Sequence, residues 1–193
     1  MNYDARSISF VTLQPHSYVM SSSRQLAAIM FTDIVGYTSL MGNDEQKAFE
    51  FIKKNREIQK PIIAQFGGRW IKELGDGVMA SFNTVSDAVN AAIKIQEACD
   101  AGGDFQLRIG INLGEVLFEG DDVFGDGVNI AARIQSAAMP GSICISESVY
   151  HNVVNKKDIT ARFVKEELLK NVRKPVRIYE IVRNGETGAP VEI

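Results

Sequence analysis

The amino-acid pattern predicts an α+β fold, and three observations carry that prediction. An apolar run from Leu26 to Phe31 ends at a carboxylate and a Gly-containing turn, and Arg69 to Phe82 reads as strand, Gly-Asp-Gly turn, strand. Two amphipathic stretches, each stopped by a Gly-Gly pair, separate these strands from each other and from an alternating strand that follows Phe105. The order strand, helix, strand, strand, helix, strand matches a ferredoxin-like βαββαβ core, an antiparallel sheet with both helices on one face.

The first strand is too evenly apolar for a half-exposed position and suits one covered on both faces. Asp33 stands where the run ends. The backbone amides of Gly36 to Ser39, ahead of a helix N-terminus, suit an anion such as a phosphate, and Asp33 suits the cation accompanying it. A carboxylate that merely caps a turn is the competing reading. The first long helix is expected to open at Gly42 to Gln46, with Asn43 as cap and Gln46 completing a capping box. Ala48, Phe51, Ile58, Ile62 and Phe66 recur near helical spacing and give it a buried face; Lys53, Lys54, Arg56, Glu57 and Lys60 give it a solvated one. Pro61 should kink that helix or cost it a hydrogen bond, and Gly67-Gly68 ends it.

In the hairpin that follows, Asp76 occupies the tip, where Asp-Gly is favoured for conformational reasons alone. Yet one carboxylate at the end of a central strand and another at a hairpin tip are the elements of a Mg²⁺ pair, since that ion is commonly held by one or two carboxylates plus substrate phosphates. The second helix has Thr84 or Ser86 as cap, buries Val85, Ala88, Val89, Ala92, Ile95 and Cys99, and stops at Gly102-Gly103. Phe105 to Gly114 then alternates Leu107, Ile109, Ile111 and Leu113 as the last core strand.

Beyond this core the richest stretch is Glu119 to Arg133. It is not a calcium loop, because Phe124 falls on a ligand position. Gly125 and Gly127 are too little for a dinucleotide fingerprint, with no strand leading directly into them. What remains is a helix opening near Asp126 or Gly127 and running to Ala138, closed by Pro140-Gly141. Asn129 and Arg133 share one stripe of it, and Ile130 and Ile134 form a neighbouring, core-facing stripe. A plain exposed polar face would look the same.

A length of 193 residues fits one domain, and 45% hydrophobic content suits a sizeable core. A net charge of -3 leaves no electrostatic footprint for nucleic acid. No stretch has the length of a membrane span, and the first residues lack the apolar core of a signal peptide, which points to a cytoplasmic protein. Cys99 and Cys144 carry no zinc spacing and read as reduced, buried thiols. With only His16 and His151 in the chain, its chemistry falls to carboxylates, Lys, Arg or a metal.

Phe31-Thr32-Asp33-Ile34-Val35-Gly36-Tyr37-Thr38, followed by Lys72-Glu73-Leu74-Gly75-Asp76-Gly77, resembles the catalytic domain of the class III nucleotidyl cyclases, the adenylyl and guanylyl cyclases. The resemblance runs from about Gln25 to Val182. It implies the ferredoxin-like core enlarged with extra C-terminal strands and a helix, and a catalytic domain over 24–183; residues 1–23, ending in Ser21-Ser22-Ser23, read as a disordered lead-in and 184–193 as a tail. It implies Asp33 and Asp76, with the Ile34 carbonyl, as ligands of two Mg²⁺ or Mn²⁺ ions. Lys72 and Asp122 match the pair that reads adenine, where a guanine reader would be expected to carry Glu at 72 and a small polar or thiol residue at 122. Asn129 and Arg133 match the residues that orient the ribose and stabilise the reacting α-phosphate. In Leu168-Leu169-Lys170-Asn171-Val172-Arg173-Lys174-Pro175-Val176, Lys170 matches the lysine that binds the terminal phosphates; a solvated loop lysine is the plain alternative. Asn171 replaces the usual Gly there, so Arg173 or Lys174 is available to share the role. Leu117 to Asp121 is shorter than the hairpin of many members, which places the chain in a short-arm subgroup.

The reaction so implied is attack of the ribose 3′-hydroxyl of ATP on the α-phosphorus, giving cyclic AMP and pyrophosphate by two-metal chemistry. In the family the metal aspartates come from one subunit and the other groups from its partner, so the expected assembly is a homodimer with two equivalent composite sites. A guanylyl cyclase, or a catalytically silent cyclase-homology module for dimerisation or sensing, is the alternative, and a bacterial source is expected from the short single-domain form. A more distant polymerase-like sheet would leave Asn129, Arg133 and Lys170 without a role.

Overall fold

The structure, a computed structural model, describes residues 23–168, 172 and 174–183. In chain order its elements are β1 (Ser23–Ile34), α1 (Tyr37–Asn43), α2 (Glu45–Gln65), β2 (Arg69–Leu74), β3 (Gly77–Phe82), α3 (Val85–Gly102), β4 (Leu107–Glu119), β5 (Asp122–Phe124), α4 (Asp126–Ala137), β6 (Ile143–Ser146), α5 (Glu147–Val153), β7 (Thr160–Glu167) and β8 (Val176–Val182). One sheet runs β2-β3-β1-β4-β6-β8-β7, with β5 pairing on β4. The part built from β2, β3, β1 and β4 is antiparallel throughout, the ferredoxin-like core expected. β6 then joins β4 in parallel, so the enlarged sheet is mixed.

β1 is central and covered on both sides, which is what its unbroken apolar run requires. On one face Ala28, Met30 and Ile34 pack with Val78, Ala80, Phe82, Ile109 and Ile111 under α2 and α3. On the other, Ala27, Ile29 and Phe31 pack with Met79 and with Ala131 of α4. The glycines of β4 decide how closely α4 can lie. A Cβ on Gly110 would stand 2.2 Å from the backbone nitrogen of Gln135, and one on Gly114 3.1 Å from the Cα of Gly127.

Several sequence expectations need correction. Asn43 does not cap the long helix: it is the last residue of the separate short helix α1, and Asp44, in an extended conformation, caps α2 by accepting from the Lys47 N–H at 3.0 Å. An Asp one residue on is the better-placed acceptor once α1 has taken up Asn43. α2 itself runs through Pro61 to Gln65 and stops just ahead of Gly67-Gly68, where its end is expected. The last core strand starts at Leu107 rather than Phe105 and extends to Glu119, because its far half keeps pairing with Ser23 to Gln25 and with β5. Phe105 instead packs its ring 5.4 Å from that of Phe51. Ser23, assigned to the lead-in, opens β1; residues 1–22 and the tail from 184 lie outside the described residues.

Candidate functional site

Asp33 and Asp76 meet at the end of β1. Asp33 projects toward the α4 side, directly across from Arg108 in the β1/β4 register, and the two form an ion pair. Asp76 sits at the β2–β3 tip, where Gly75 takes a positive φ of 67°. A Cβ on Gly77 would lie 2.7 Å from the Thr32 carbonyl oxygen, so Gly77 lets the tip rest against β1. Asp76 Oδ2 accepts from the Ile34 N–H at 3.0 Å. Burial first, and then the charge of Asp33, push the Asp76 carboxyl up to about 6. Two carboxylates crowded together with one guanidinium leave negative charge that a hard divalent cation would relieve, and their oxygens suit Mg²⁺ or Mn²⁺. Among the described residues no group of three His, Cys, Asp or Glu side chains could hold a metal. Further ligands would therefore be backbone, substrate or water oxygens.

The second cluster depends on a β-bulge. Trp70 stands opposite Ala80 but Lys72 opposite Met79, leaving Ile71 as the extra residue of β2. The bulge turns Lys72 toward the α4 side; without it Lys72 would face α2, as Glu73 does. Glu73 there receives two bonds from Arg56, at 2.7 and 2.6 Å. Lys72 Nζ donates to both oxygens of Asp122 on β5, each at 2.7 Å. That bond, then the Val123 N–H, hold the Asp122 carboxyl below its usual range. Beside the pair lies a cavity of about 320 Å³ with Phe31, Met79 and Val128 as apolar walls and Lys72 and Asn129 as polar lining. Such a slot, apolar on its walls with a few polar groups, suits a planar base.

Asn129 thus lines the same cavity as Lys72, while Arg133, one turn further along α4, is exposed and its side chain makes no hydrogen bond or ion pair among the described residues. Ile134 is fully buried and Ile130 packs beside it, as expected. None of Asp33, Ile34 and Asp76 lines the cavity. Lys170 lies outside the described residues, and Lys174 is exposed. Around Gly36, φ 76°, α1 begins with no side-chain cap, so its first amides are not taken by a capping side chain. A larger cavity of about 670 Å³, among Arg24, Glu115, Glu147 and Arg177, contains no expected site residue.

Arg108 escaped the sequence reading because an alternating strand makes a single charged position look solvent-facing. The available signal was its place as the one charge between Phe105 and Leu113. Asn55 and Gln59, both buried on α2, escape that reading too, because a polar side chain on an amphipathic helix carries no local sign that its partners lie inside.

The profile of the adenylate and guanylate cyclase catalytic domain matches residues 19–183. A putative adenylate cyclase 3 of Rhizobium meliloti (strain 1021) is 36% identical over 167 residues, covering 82% of this chain and 28% of the relative. The chain spans less than half the length of the curated cyclases it matches. The crystal structure of an adenylate/guanylate cyclase/hydrolase from Silicibacter pomeroyi, 35% identical, superposes with a TM-score of 0.79 over 85% of this chain and 100% of that one. That of the adenylyl cyclase CyaB from P. aeruginosa, 25% identical, gives 0.77 over 84% and 96%.

Proposed function

We propose that this chain, which belongs to the adenylate and guanylate cyclase catalytic domain family, converts ATP to 3′,5′-cyclic AMP and pyrophosphate as a homodimer with two composite sites. The observation that carries the ATP reading is the Lys72–Asp122 pair beside the cavity that holds Asn129. The ammonium can donate to a ring nitrogen of adenine and the carboxylate can accept from its exocyclic amine; guanine presents a carbonyl where that amine would be and meets the carboxylate unfavourably.

Asp33, Asp76 and the Ile34 carbonyl would hold the divalent cations. When bound, two such ions lower the pKa of the ribose 3′-hydroxyl and carry triphosphate charge. Asn129 orients the ribose, and Arg133 donates to the α-phosphate as negative charge develops there. Lys170 is the proposed partner of the terminal phosphates. Arg108 keeps Asp33 paired before a cation enters and stays beside it as a positive charge. The cavity that receives the base contains no metal carboxylate, which supports completion of each site by a second copy in a twofold arrangement. No helix of the described residues is long and apolar enough to cross a membrane.

The test incubates purified protein with ATP or GTP and Mn²⁺ or Mg²⁺, following cyclic nucleotide and pyrophosphate, with Asp33→Ala as control. Cyclic AMP that disappears in the variant supports the assignment. Cyclic GMP as the main product overturns the role given to Lys72 and Asp122. No product from folded, dimeric protein moves the reading to a silent cyclase-homology module.

A further inference from the structure

Under the two carboxylates, on the α2 side of the sheet, lies a chain of buried polar side chains. Thr32, Asn55 and Gln59 are 2%, 3% and 0% exposed. The Thr32 hydroxyl donates to Gln59 Oε1 at 3.2 Å and accepts from Gln59 Nε2 at 3.0 Å. Gln59 Nε2 also donates to Asn55 Oδ1, and Asn55 Nδ2 donates to the Asp76 carbonyl at 3.3 Å. The chain begins one residue before Asp33 and ends on Asp76 itself. Both segments that carry a carboxylate are therefore tied from behind to one rigid helix.

Helix packing alone does not call for this arrangement. The same α2 face buries Ala48 and Ile63, and apolar groups at 55 and 59 would fill the space without hydrogen-bond demands. A buried polar network in which successive members are bonded fixes one geometry, because any shift strands a donor or acceptor away from water. Here the geometry fixed is that of the Gly75 to Gly77 tip, whose own glycines give it little rigidity. Beyond the β1/β3 ladder, which reaches Thr32 opposite Val78, the tip is held to β1 by the bond from the Ile34 N–H to the Asp76 carboxylate. That bond uses an oxygen of the group a cation would claim.

We infer that Asn55, anchored through Gln59 to Thr32, is a positioning residue for the cation site: it holds the Asp76 carbonyl so that the two carboxylates keep a fixed separation when a divalent cation enters. The inference rests on the proposed metal role of Asp33 and Asp76. Residues that orient a metal ligand from behind typically cost roughly 10- to 100-fold in metal affinity or activity when removed. Asn55→Leu keeps the branched heavy-atom skeleton and loses both bonds. Asn55→Asp keeps the acceptor for Gln59 and replaces the donor to Asp76 by an oxygen. Gln59→Met removes the link to Thr32.

The experiment measures Mn²⁺ binding by electron paramagnetic resonance, with 3′-deoxy-ATP present as a nucleotide that cannot cyclise, and in parallel the Mn²⁺ dependence of ATP turnover. In all three variants the Mn²⁺ concentration at half-saturation is expected to rise about tenfold in both readouts, with the KM for ATP at saturating Mn²⁺ unchanged. Ile63→Val, on the same helix but outside the polar chain, serves as a control for lost packing and should leave the Mn²⁺ curve in place. Half-saturation within twofold of wild type in the folded variants overturns the inference, as does an equal shift in Ile63→Val. A shifted binding curve in a protein without cyclase activity upholds the inference and overturns the proposed reaction. No Mn²⁺ binding by wild type overturns both.

Discussion

Replacing Asp76 by Asn should make the metal-free protein more stable while abolishing its activity. The carboxyl is raised from 3.8 to about 6, mainly by burial and next by the charge of Asp33. Two pH units correspond to about 3 kcal/mol at full value. Asp76 is only partly buried, so solvent screening brings the cost of its charge to on the order of 1 kcal/mol. The amide keeps an oxygen to accept from the Ile34 N–H, so the fold loses no bond there. Because the folded-state value lies above the unfolded one, wild type carries this penalty at pH 8, where both states are ionised. It sheds the penalty as pH falls through about 6, where the folded protein binds the proton first. In thermal denaturation with EDTA, Asp76→Asn should therefore melt about 2–4 °C above wild type at pH 8, and the difference should close by about pH 4, near the unfolded carboxylate value. Stabilisation of wild type by Mn²⁺ with nucleotide should be lost in the variant. A variant less stable at pH 8, or a difference that does not change with pH, would refute the reasoning, because the two carboxylates would then not be in electrostatic conflict.

Asp33→Ala and Arg133→Ala should each be inactive alone and regain up to about a quarter of wild-type activity when mixed in equal amounts, since half the dimers are mixed and each has one intact site of two. No recovery despite measured subunit exchange would argue against composite sites. The pair Lys72→Glu and Asp122→Cys, made together, should shift turnover from ATP toward GTP, measured as the ratio of kcat/KM for the two nucleotides; a ratio unmoved within about threefold would remove the base-reading role. Gly110→Ala places a Cβ 2.2 Å from the Gln135 backbone nitrogen and should destabilise by about 3 kcal/mol in urea unfolding. A loss below about 0.5 kcal/mol would mean that α4 does not bear on β4 there.

What was legible in the sequence was whatever repeats along an element. The β1 run, the Gly-Asp-Gly tip and the α4 stripe each follow a local rule, and each stands where that rule puts it. Register was not legible. The bulge at Ile71 decides which face Lys72 occupies, yet Arg-Trp-Ile-Lys-Glu-Leu contains no Gly or turn residue to announce it. Regular alternation would have sent Lys72 to the α2 side, and only the resemblance paired it with Asp122. Asn55 and Gln59 follow no apolar rule: a polar residue on a helix is assigned to water unless something shows a partner waiting inside, and their partners are distant in sequence, the Asp76 carbonyl for Asn55 and the Thr32 hydroxyl for Gln59. Arg108 is read the same way until β1 brings Asp33 opposite it.

The sheet also separates two kinds of work. On its α2 side, Arg56, Asn55 and Gln59 bond to Glu73, the Asp76 carbonyl and Thr32, so that one helix is tied to both the hairpin and β1. On its α4 side stand Asp33, Lys72, Asp122 and Asn129, the groups assigned to cation and nucleotide. That second side is left open. Phe124 and Leu74, 46% and 47% exposed, flank the cavity, and Arg133 projects beyond it without a partner among the described residues. Exposed apolar side chains beside an open slot mark a surface that gains from being covered, and a cation with no acceptor gains from an anion brought to it. A second copy of the chain carrying its cation-bound phosphates toward Arg133 would meet both needs at once. The mixing experiment then tests more than stoichiometry: recovery from two single defects requires that the open face of one chain be completed by the carboxylate end of another.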